Sequence, residues 1–431
     1  MNINEIYKLF LECGTVCTDT RNIKQGSLFI ALKGQNFDGN KFAKEALKKG
    51  CRYAFVDDKN FANENTIFFI YDTLKTLQEL ARFHRQQFDI PVISITGTNG
   101  KTTSKELISC ILQKKYNTTF TKENFNNHIG VPLTLLEINS DTEIAVIEMG
   151  ANHHGEIKTL CEIAEPNFGL ITNIGKSHLE GFGSLEGVIN SKTEMYHFIK
   201  QHNGKIFINT DNNLLMSRIN EILSITYGVN ENCFIAGKNP LSNPFLELKW
   251  KTNGITNWNL LKTNLVGNYN FENVLSAICI GTYFNVDERN INEGITNYQP
   301  TNNRSQILKT SKNTLLIDAY NANPTSMNAA LDNFFEMSGE NKVLIIGDML
   351  ELGESSINEH KSIYQKIVQS DVSEIFLVGN TFLKLSESLK VKIFSDVYKL
   401  IEYFNNNPLN QKLILIKASH GIHLEKLIKI L

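Results

Sequence analysis

The stretch "ISITGTNGKTTSKELISCILQKK", Ile93 to Lys115, constrains this chain more than any other. An apolar run of strand length enters a glycine-bearing turn, and the turn opens onto a helical stripe made by Leu107, Ile108, Ile111 and Leu112. The phosphate-loop pattern requires its first glycine where Ile95 stands, so the match is partial. What survives is Gly97, Thr98, Asn99, Gly100, Lys101, Thr102 and Thr103. Glycines let backbone N–H groups turn toward an anion, and a helix N-terminus adds the positive end of its dipole. In that setting Lys101 reaches the β- and γ-phosphates of a nucleotide and the Thr102 hydroxyl ligates Mg²⁺. An ordinary strand-to-helix turn is the competing reading.

The rest of the chain supplies a frame for such a unit. With 431 residues, two or three domains are expected. "GSLFIALKG" and "CRYAFVDD" read as strands flanking the amphipathic "NKFAKEALKKG", and "LKTLQELARFHRQQ" as a helix leading out, which puts a first boundary near residue 84. "IPVISIT", "EIAVIEMG" and "NFGLITNIG" are apolar runs separated by helix-length segments, the signature of a parallel sheet covered on both faces. "NYQPTNNRS" is polar, contains Pro300 and marks a second boundary. Beyond it "TLLIDAY", "KVLIIGDM", "EIFLVGN" and "KLILIKAS" alternate with helical patterns, so parallel strands with right-handed crossovers are expected. No G-x-G-x-x-G follows these strands, which argues against a dinucleotide site there. The expected fold is α/β in three domains: a small N-terminal α/β domain (1–84), a central P-loop domain with a parallel sheet (85–298) and a C-terminal Rossmann-like domain (299–431).

Bulk properties exclude several function classes. A net charge of −2 without a dense basic stripe gives no footprint for nucleic acid. No apolar run of about 18 residues offers a membrane span, and the first residues lack a signal-peptide layout, so a cytoplasmic location is expected. Seven scattered cysteines without a C-x-x-C pair argue for reduced thiols rather than disulfides or zinc.

A phosphate loop alone does not separate a switch, a pump, a kinase and a ligase. Glu148, closing "AVIE", stands where a Mg²⁺-binding acid is expected at the end of a neighbouring strand; a surface Glu is the bland alternative. "GANHHGEI" lacks the H-E-x-x-H of a zinc protease. His178 follows a strand end, where ligands bind in open α/β sheets, and Lys192 follows in a helical stretch. Neutral imidazole can ligate a second cation, whereas an ammonium beside Mg²⁺ is repelled. Lys192 is therefore either remote from the metal or chemically altered.

Nine dispersed motifs together resemble those of the Mur ligases of peptidoglycan precursor synthesis: "TDTR", "GTNGKTT", "NFNNHIGVPLTLL", "EMGANHHGEI", "NIGKSHLEGFGSLEGV", "NYNFEN", "NRSQ", "DAYNANPTSM" and "GDMLELGE". They span almost the whole chain in family order. "ANHHGEI" with "DAYNANPTSM", and the absence of the "DNPR" signature, point to the branch that adds D-alanyl-D-alanine to UDP-N-acetylmuramoyl-tripeptide. The resemblance implies an ADP-forming amide ligase using ATP and two Mg²⁺ ions. A sibling adding the third residue and a folylpolyglutamate synthetase-like ligase share the central site; a nucleotide switch or an idle nucleotide-binding protein fits the intact Lys101, Glu148, His178 and Lys192 poorly.

The resemblance also implies roles by position. Thr102 and Glu148 match ligands of the Mg²⁺ between the β- and γ-phosphates, and His178 a ligand of the second. Lys192 matches a lysine carried as a carbamate, an anion able to ligate that ion. Asn270 and Asn273 match a pair beside the adenine. Arg304 and Asp318 match residues that the C-terminal domain brings to the nucleotide, with Tyr320, Asn321 and Asn323 in the same stretch. Thr20, Arg21, Asp38 and Gly39 fall in the domain that holds the uridine diphosphate end, and Asn126, Asn127 and His128 in a loop facing the sugar-peptide. Two departures stand out: Tyr269 where many members have His, and His420 in "KASHG" where many have Arg. A neutral imidazole cannot replace a bidentate guanidinium on a carboxylate, so Lys417 and Ser419 are expected to take more of that task. Nothing in the sequence requires more than a monomer, and closure of the C-terminal domain about "NYQPTNN" is the expected way to keep water out.

Overall fold

Three large sheets follow one another along the chain in the computed structural model, which describes residues 1–63, 65–301, 303–385 and 390–431, and a two-stranded ribbon of Lys33–Gly34 and Phe37–Asp38 accompanies the first. Asn302, within the expected hinge, lies outside the described residues. The first sheet runs Val16–Cys17, Leu28–Ile30, Tyr53–Val56 and Ile67–Phe69, all parallel. Its helix Ile3–Cys13 begins at a capping box between Asn2 and Glu5 and ends at Gly14, whose φ of 70° suits glycine. Helix Thr73–Arg85, capped by the Asp72 side chain, runs across the expected boundary at residue 84.

In the central sheet the strand before the phosphate loop, Val92–Thr96, lies between Ile144–Glu148 and Phe168–Ile171, all parallel. Every residue of Val92–Thr96 is buried, as a sheet covered on both faces demands. The sheet is not parallel throughout as expected. Ile235–Ser242, Phe245–Thr252 and Asn259–Val266 extend it as an antiparallel meander, in whose middle strand Trp250 is fully buried and donates its indole N–H to Asn292. Short loops allow antiparallel pairing, whereas parallel pairing needs a long crossover. In the C-terminal sheet Gln306–Lys309 pairs antiparallel with Thr314–Asp318, and Leu413–Lys417, Lys342–Gly347, Glu374–Val378 and Val391–Phe394 follow in parallel. This register makes Asp318 and Lys417 lateral neighbours.

Candidate active site

The phosphate-loop turn is built for glycine. Gly97 (φ 142°) and Gly100 (φ 79°) hold positive φ. A Cβ on Gly97 would stand 2.1 Å from Thr172 Oγ1, and one on Gly100 2.3 Å from Asn273 Oδ1. The loop is pinned to the next strand end: Thr98 N–H donates to the Asn173 carbonyl (2.8 Å), Asn99 N–H to Asn173 Oδ1 (2.9 Å), and Thr172 Oγ1 to the Asn99 carbonyl (2.6 Å). Helix Lys101–Leu112 starts at Gly100 without a capping side chain, so its first amides are available to an anion. Lys101 Nζ curls back onto the carbonyls of Gly97 (2.8 Å) and Thr98 (3.1 Å). Burial pushes its pKa down to about 8, with Glu148 opposing and Arg304 adding to the shift. A phosphate would be a far stronger partner than two carbonyls.

Beside it, Glu148 is 1% exposed. Its Oε1 accepts from Thr102 Oγ1 (3.2 Å) and Asn126 Nδ2 (2.8 Å), while Oε2 is buried without a hydrogen-bond partner. An unpartnered buried carboxylate oxygen is costly, and a cation removes the cost. No group of three or more His, Cys, Asp or Glu gathers as a metal site among the described residues. One carboxylate and one hydroxyl suit Mg²⁺, which keeps water and phosphate oxygens as its remaining ligands.

His178 and Lys192 meet around Phe182. The His178 ring lies 6.4 Å from that of Phe182, and Lys192 Nζ sits 5.4 Å from its centroid. Lys192 is 1% exposed and its ammonium donates to the Ala151 carbonyl at 3.4 Å. Burial, reinforced by the charge of Lys101, pushes its pKa down to about 7, against Glu156 and Glu194. An amine so held is substantially uncharged at neutral pH, the form that reacts with CO₂. His178 Nδ1 lies 2.5 Å from a carboxylate oxygen of Glu351 in the C-terminal domain, and this imidazole holds the Glu351 carboxyl below its ordinary pKa.

Lys101, Thr102, Glu148 and His178 face a cleft of about 1100 Å³ between the central and C-terminal domains. From the central side it is lined by Thr98 to Thr103, Asn126, Asn127, His128, Glu148, His178, Asn270 and Asn273. Arg304, Asp318, Tyr320, Asn321 and Lys417 close the other side. The Arg304 guanidinium stacks 3.8 Å over the Tyr320 ring, and its Nε is buried without a partner. Asn273 Nδ2 donates to Asn270 Oδ1 (2.9 Å), and Ser104 Oγ donates to Asn273 Oδ1 (3.2 Å), tying this pair to the phosphate-loop helix. Tyr269 shares a 2.6 Å hydrogen bond with Ser305 across the domain seam, and burial raises its pKa.

Other expected site residues lie elsewhere. Gly97 and Lys192 stand behind the cleft wall. Asn323 caps helix Pro324–Glu336 and donates to Asn99 Oδ1 (2.8 Å), bridging the domains instead of lining the cleft. Ser419 is also withdrawn: its hydroxyl accepts from Leu350 N–H (2.9 Å) and faces the Ala322 carbonyl (3.3 Å). Lys417 reaches the cleft, but its ammonium is paired with Asp318 at 2.5 Å, which leaves it less to offer a substrate carboxylate than expected. Thr20, Arg21, Asp38 and Gly39 lie apart, in the N-terminal domain. There Arg21 is exposed and paired with Asp19 (2.5 Å), Lys49 donates to the Thr20 carbonyl, and Asp38 Oδ1 accepts from Asn40. A Cβ on Gly39 would stand 2.5 Å from the Leu32 carbonyl oxygen. Sequence reasoning missed Asn173, Thr172 and Glu351. Each follows a strand end, and Asn173 and Glu351 also fall within the quoted motifs "NIGKSHLEGFGSLEGV" and "GDMLELGE".

Comparison with known proteins follows this geometry. Three family models match in succession: the Mur ligase family catalytic domain over residues 13–85, the Mur ligase middle domain over 95–281, and the Mur ligase glutamate ligase domain over 303–420. The UDP-N-acetylmuramoyl-tripeptide--D-alanyl-D-alanine ligase of Bacillus subtilis strain 168 is 35% identical, with 96% of this chain and 92% of that protein covered. The Escherichia coli K12 protein of the same name is 33% identical over 96% and 93%. A crystal structure of MurF from Acinetobacter baumannii superposes with a TM-score of 0.87 at 27% identity, covering 99% of this chain and 98% of that one.

Proposed function

Because the chain belongs to the Mur ligase family, we propose that it joins D-alanyl-D-alanine to UDP-N-acetylmuramoyl-tripeptide while ATP is cleaved to ADP and phosphate. The product is the pentapeptide precursor of peptidoglycan. The observation that carries this reading is the single cleft in which Lys101, Thr102 and Glu148 face Arg304 and Asp318 of another domain.

A carboxylate is too poor an electrophile for an amine to attack. Transfer of the γ-phosphoryl group to the tripeptide carboxylate makes an acyl phosphate; the D-alanyl-D-alanine amine attacks its carbonyl, and phosphate leaves. Lys101 and the first amides of its helix neutralise phosphate oxygens, and Arg304 adds charge from the opposite wall. Thr102 and Glu148 would hold one Mg²⁺, and His178 with a carbamate on Lys192 a second; bound there, these ions supply electrostatic stabilisation of the transferred group. The low pKa of Lys192 supports the carbamate. Unmodified density at its Nζ, in a nucleotide-bound crystal grown with bicarbonate at mildly alkaline pH, would count against it.

Thr20, Arg21, Asp38 and Gly39 are assigned to the uridine diphosphate end, Asn126, Asn127 and His128 to the sugar-peptide, and Asn270 and Asn273 to the adenine. The enzyme acts as a cytoplasmic monomer on soluble substrates; no helix among the described residues is long and apolar enough to cross a membrane. The discriminating assay is phosphate release from ATP with UDP-N-acetylmuramoyl-tripeptide and one of four amines. Release with D-alanyl-D-alanine and not with D-alanine, L-lysine or glutamate is expected. Preference for L-lysine or glutamate would move the chain to a sibling activity.

A further inference from the structure

Two residues with left-handed backbones face each other across the seam between the central and C-terminal domains: His178 (φ 47°) and Glu351 (φ 64°). Side chain-bearing residues adopt this conformation seldom, and surrounding structure must hold it. Around Glu351 that structure is plain. Asp348, 3% exposed, accepts from Thr381 N–H (2.8 Å) and Phe382 N–H (3.1 Å). His360, fully buried, takes the Met349 N–H at Nε2 (3.0 Å) while its Nδ1 faces the Ser356 carbonyl (2.7 Å). Ser419 Oγ takes the Leu350 N–H (2.9 Å). Three buried side chains thus fix three successive positions, and Glu351 is the next residue along the chain.

The seam beside it is close-fitting. A Cβ on Gly353 would stand 3.5 Å from the Glu180 Cα, and Lys176 pairs with Glu359 at 2.7 Å. Glu351 Oε2 comes within 2.5 Å of His178 Nδ1, without the alignment of a full hydrogen bond. The imidazole itself lines the cleft, whereas Glu351 stands outside the residues that line it.

We propose that Glu351 is a positioning residue for His178. When the C-terminal domain is seated, its carboxylate accepts the Nδ1–H, so that Nε2 carries the lone pair offered to a cation in the cleft. Histidines that ligate metals generally donate their other N–H to a carboxylate or carbonyl, which fixes tautomer and ring orientation. Here the orienting carboxylate belongs to a different domain from the ligand, so seating of that domain and readiness of the ligand are one event. The proposal rests on the reading of His178 as a cation ligand.

Two readouts on the full-length enzyme test it. The first is the ring ¹⁵N spectrum of histidine-labelled protein with a non-hydrolysable ATP analogue and EDTA, so that no metal at Nε2 fixes the tautomer, His178 being assigned by its loss in His178→Asn. The Nδ1–H tautomer is expected in the wild type and in Glu351→Gln, whose carbonyl oxygen can still accept, and a tautomer mixture in Glu351→Ala. The second is the Mg²⁺ concentration at half-maximal rate, which should rise about 10- to 100-fold in Glu351→Ala with the KM for D-alanyl-D-alanine unchanged. Glu351→Met, of similar volume and without an acceptor, should behave as Glu351→Ala and serves if the alanine variant misfolds. Wild-type tautomer and Mg²⁺ dependence in the variants that lack an acceptor would overturn the proposal. If His178→Asn keeps the wild-type Mg²⁺ dependence, the cation reading fails, while the ¹⁵N spectra still judge the contact with Glu351.

Discussion

Helix Thr73–Arg85 and the seam at His178 and Glu351 both join domains, and they do so by opposite means. At the first junction one apolar cluster runs from Ile6, Phe10, Leu77 and Leu80 into Val131, Leu135 and Ile157 without a break. Buried Arg85 donates to the carbonyls of Ala164, Phe88, Ile90 and Glu165, and His84 Nε2 meets the Ile138 carbonyl at 2.7 Å. At the second junction Val266 joins the C-terminal core, and polar contacts supply much of the rest: Asn99 with Asn323, Lys176 with Glu359, His178 with Glu351, and Tyr269 with Ser305. Continuous apolar burial resists opening, whereas exposed ion pairs exchange readily with water. The comparison teaches that the N-terminal and central domains share one apolar core, whereas the C-terminal wall of the cleft is held to the central domain largely by polar contacts.

Breaking the first junction has the largest expected effect. Arg85→Ala leaves buried carbonyls without donors and should cost about 3 kcal/mol of stability, seen as a lower urea midpoint for the unit that contains both domains. An unchanged midpoint would remove the distinction between the junctions. His84 sharpens the same point through pH. Burial lowers its pKa in the folded protein. Below about pH 6.5 the unfolded chain therefore binds a proton that the folded one refuses, and stability falls with acid. The acid limb should be shallower in His84→Gln, and equal slopes would show that this imidazole does not set it. The smallest effect belongs to the second junction. Lys176→Ala removes a half-exposed pair worth at most about 1 kcal/mol, so the urea midpoint should barely move, while small-angle scattering with ATP analogue and substrate should report a more open average shape. A large loss of stability there would make both junctions alike.

What could be read from sequence follows the same division. The phosphate loop is local: strand, glycines, Lys101 and helix are consecutive, so its geometry was legible without knowing the fold. Glu148 was legible as a strand end beside it. The antiparallel meander from Ile235 to Val266 was not, because its partly exposed strands lack the continuous apolar runs of the parallel core. In one dimension Lys417 and Ser419 looked like contacts for a substrate carboxylate, and Asn323 lay in a stretch brought to the nucleotide. In three, Asn323 clasps the phosphate loop, Lys417 is held by its register neighbour Asp318, and Ser419 supports the backbone before Glu351. Such partners are set by sheet order and domain seating, which no local pattern encodes.

The central claim is that this cleft hands the γ-phosphoryl group of ATP to a peptide carboxylate before the amide bond forms. It is tested most directly with UDP-N-acetylmuramoyl-tripeptide carrying ¹⁸O in the carboxylate that becomes the amide, turned over with ATP and D-alanyl-D-alanine. One ¹⁸O atom should appear in each phosphate released. Unlabelled phosphate, formed while the pentapeptide accumulates, would contradict the account.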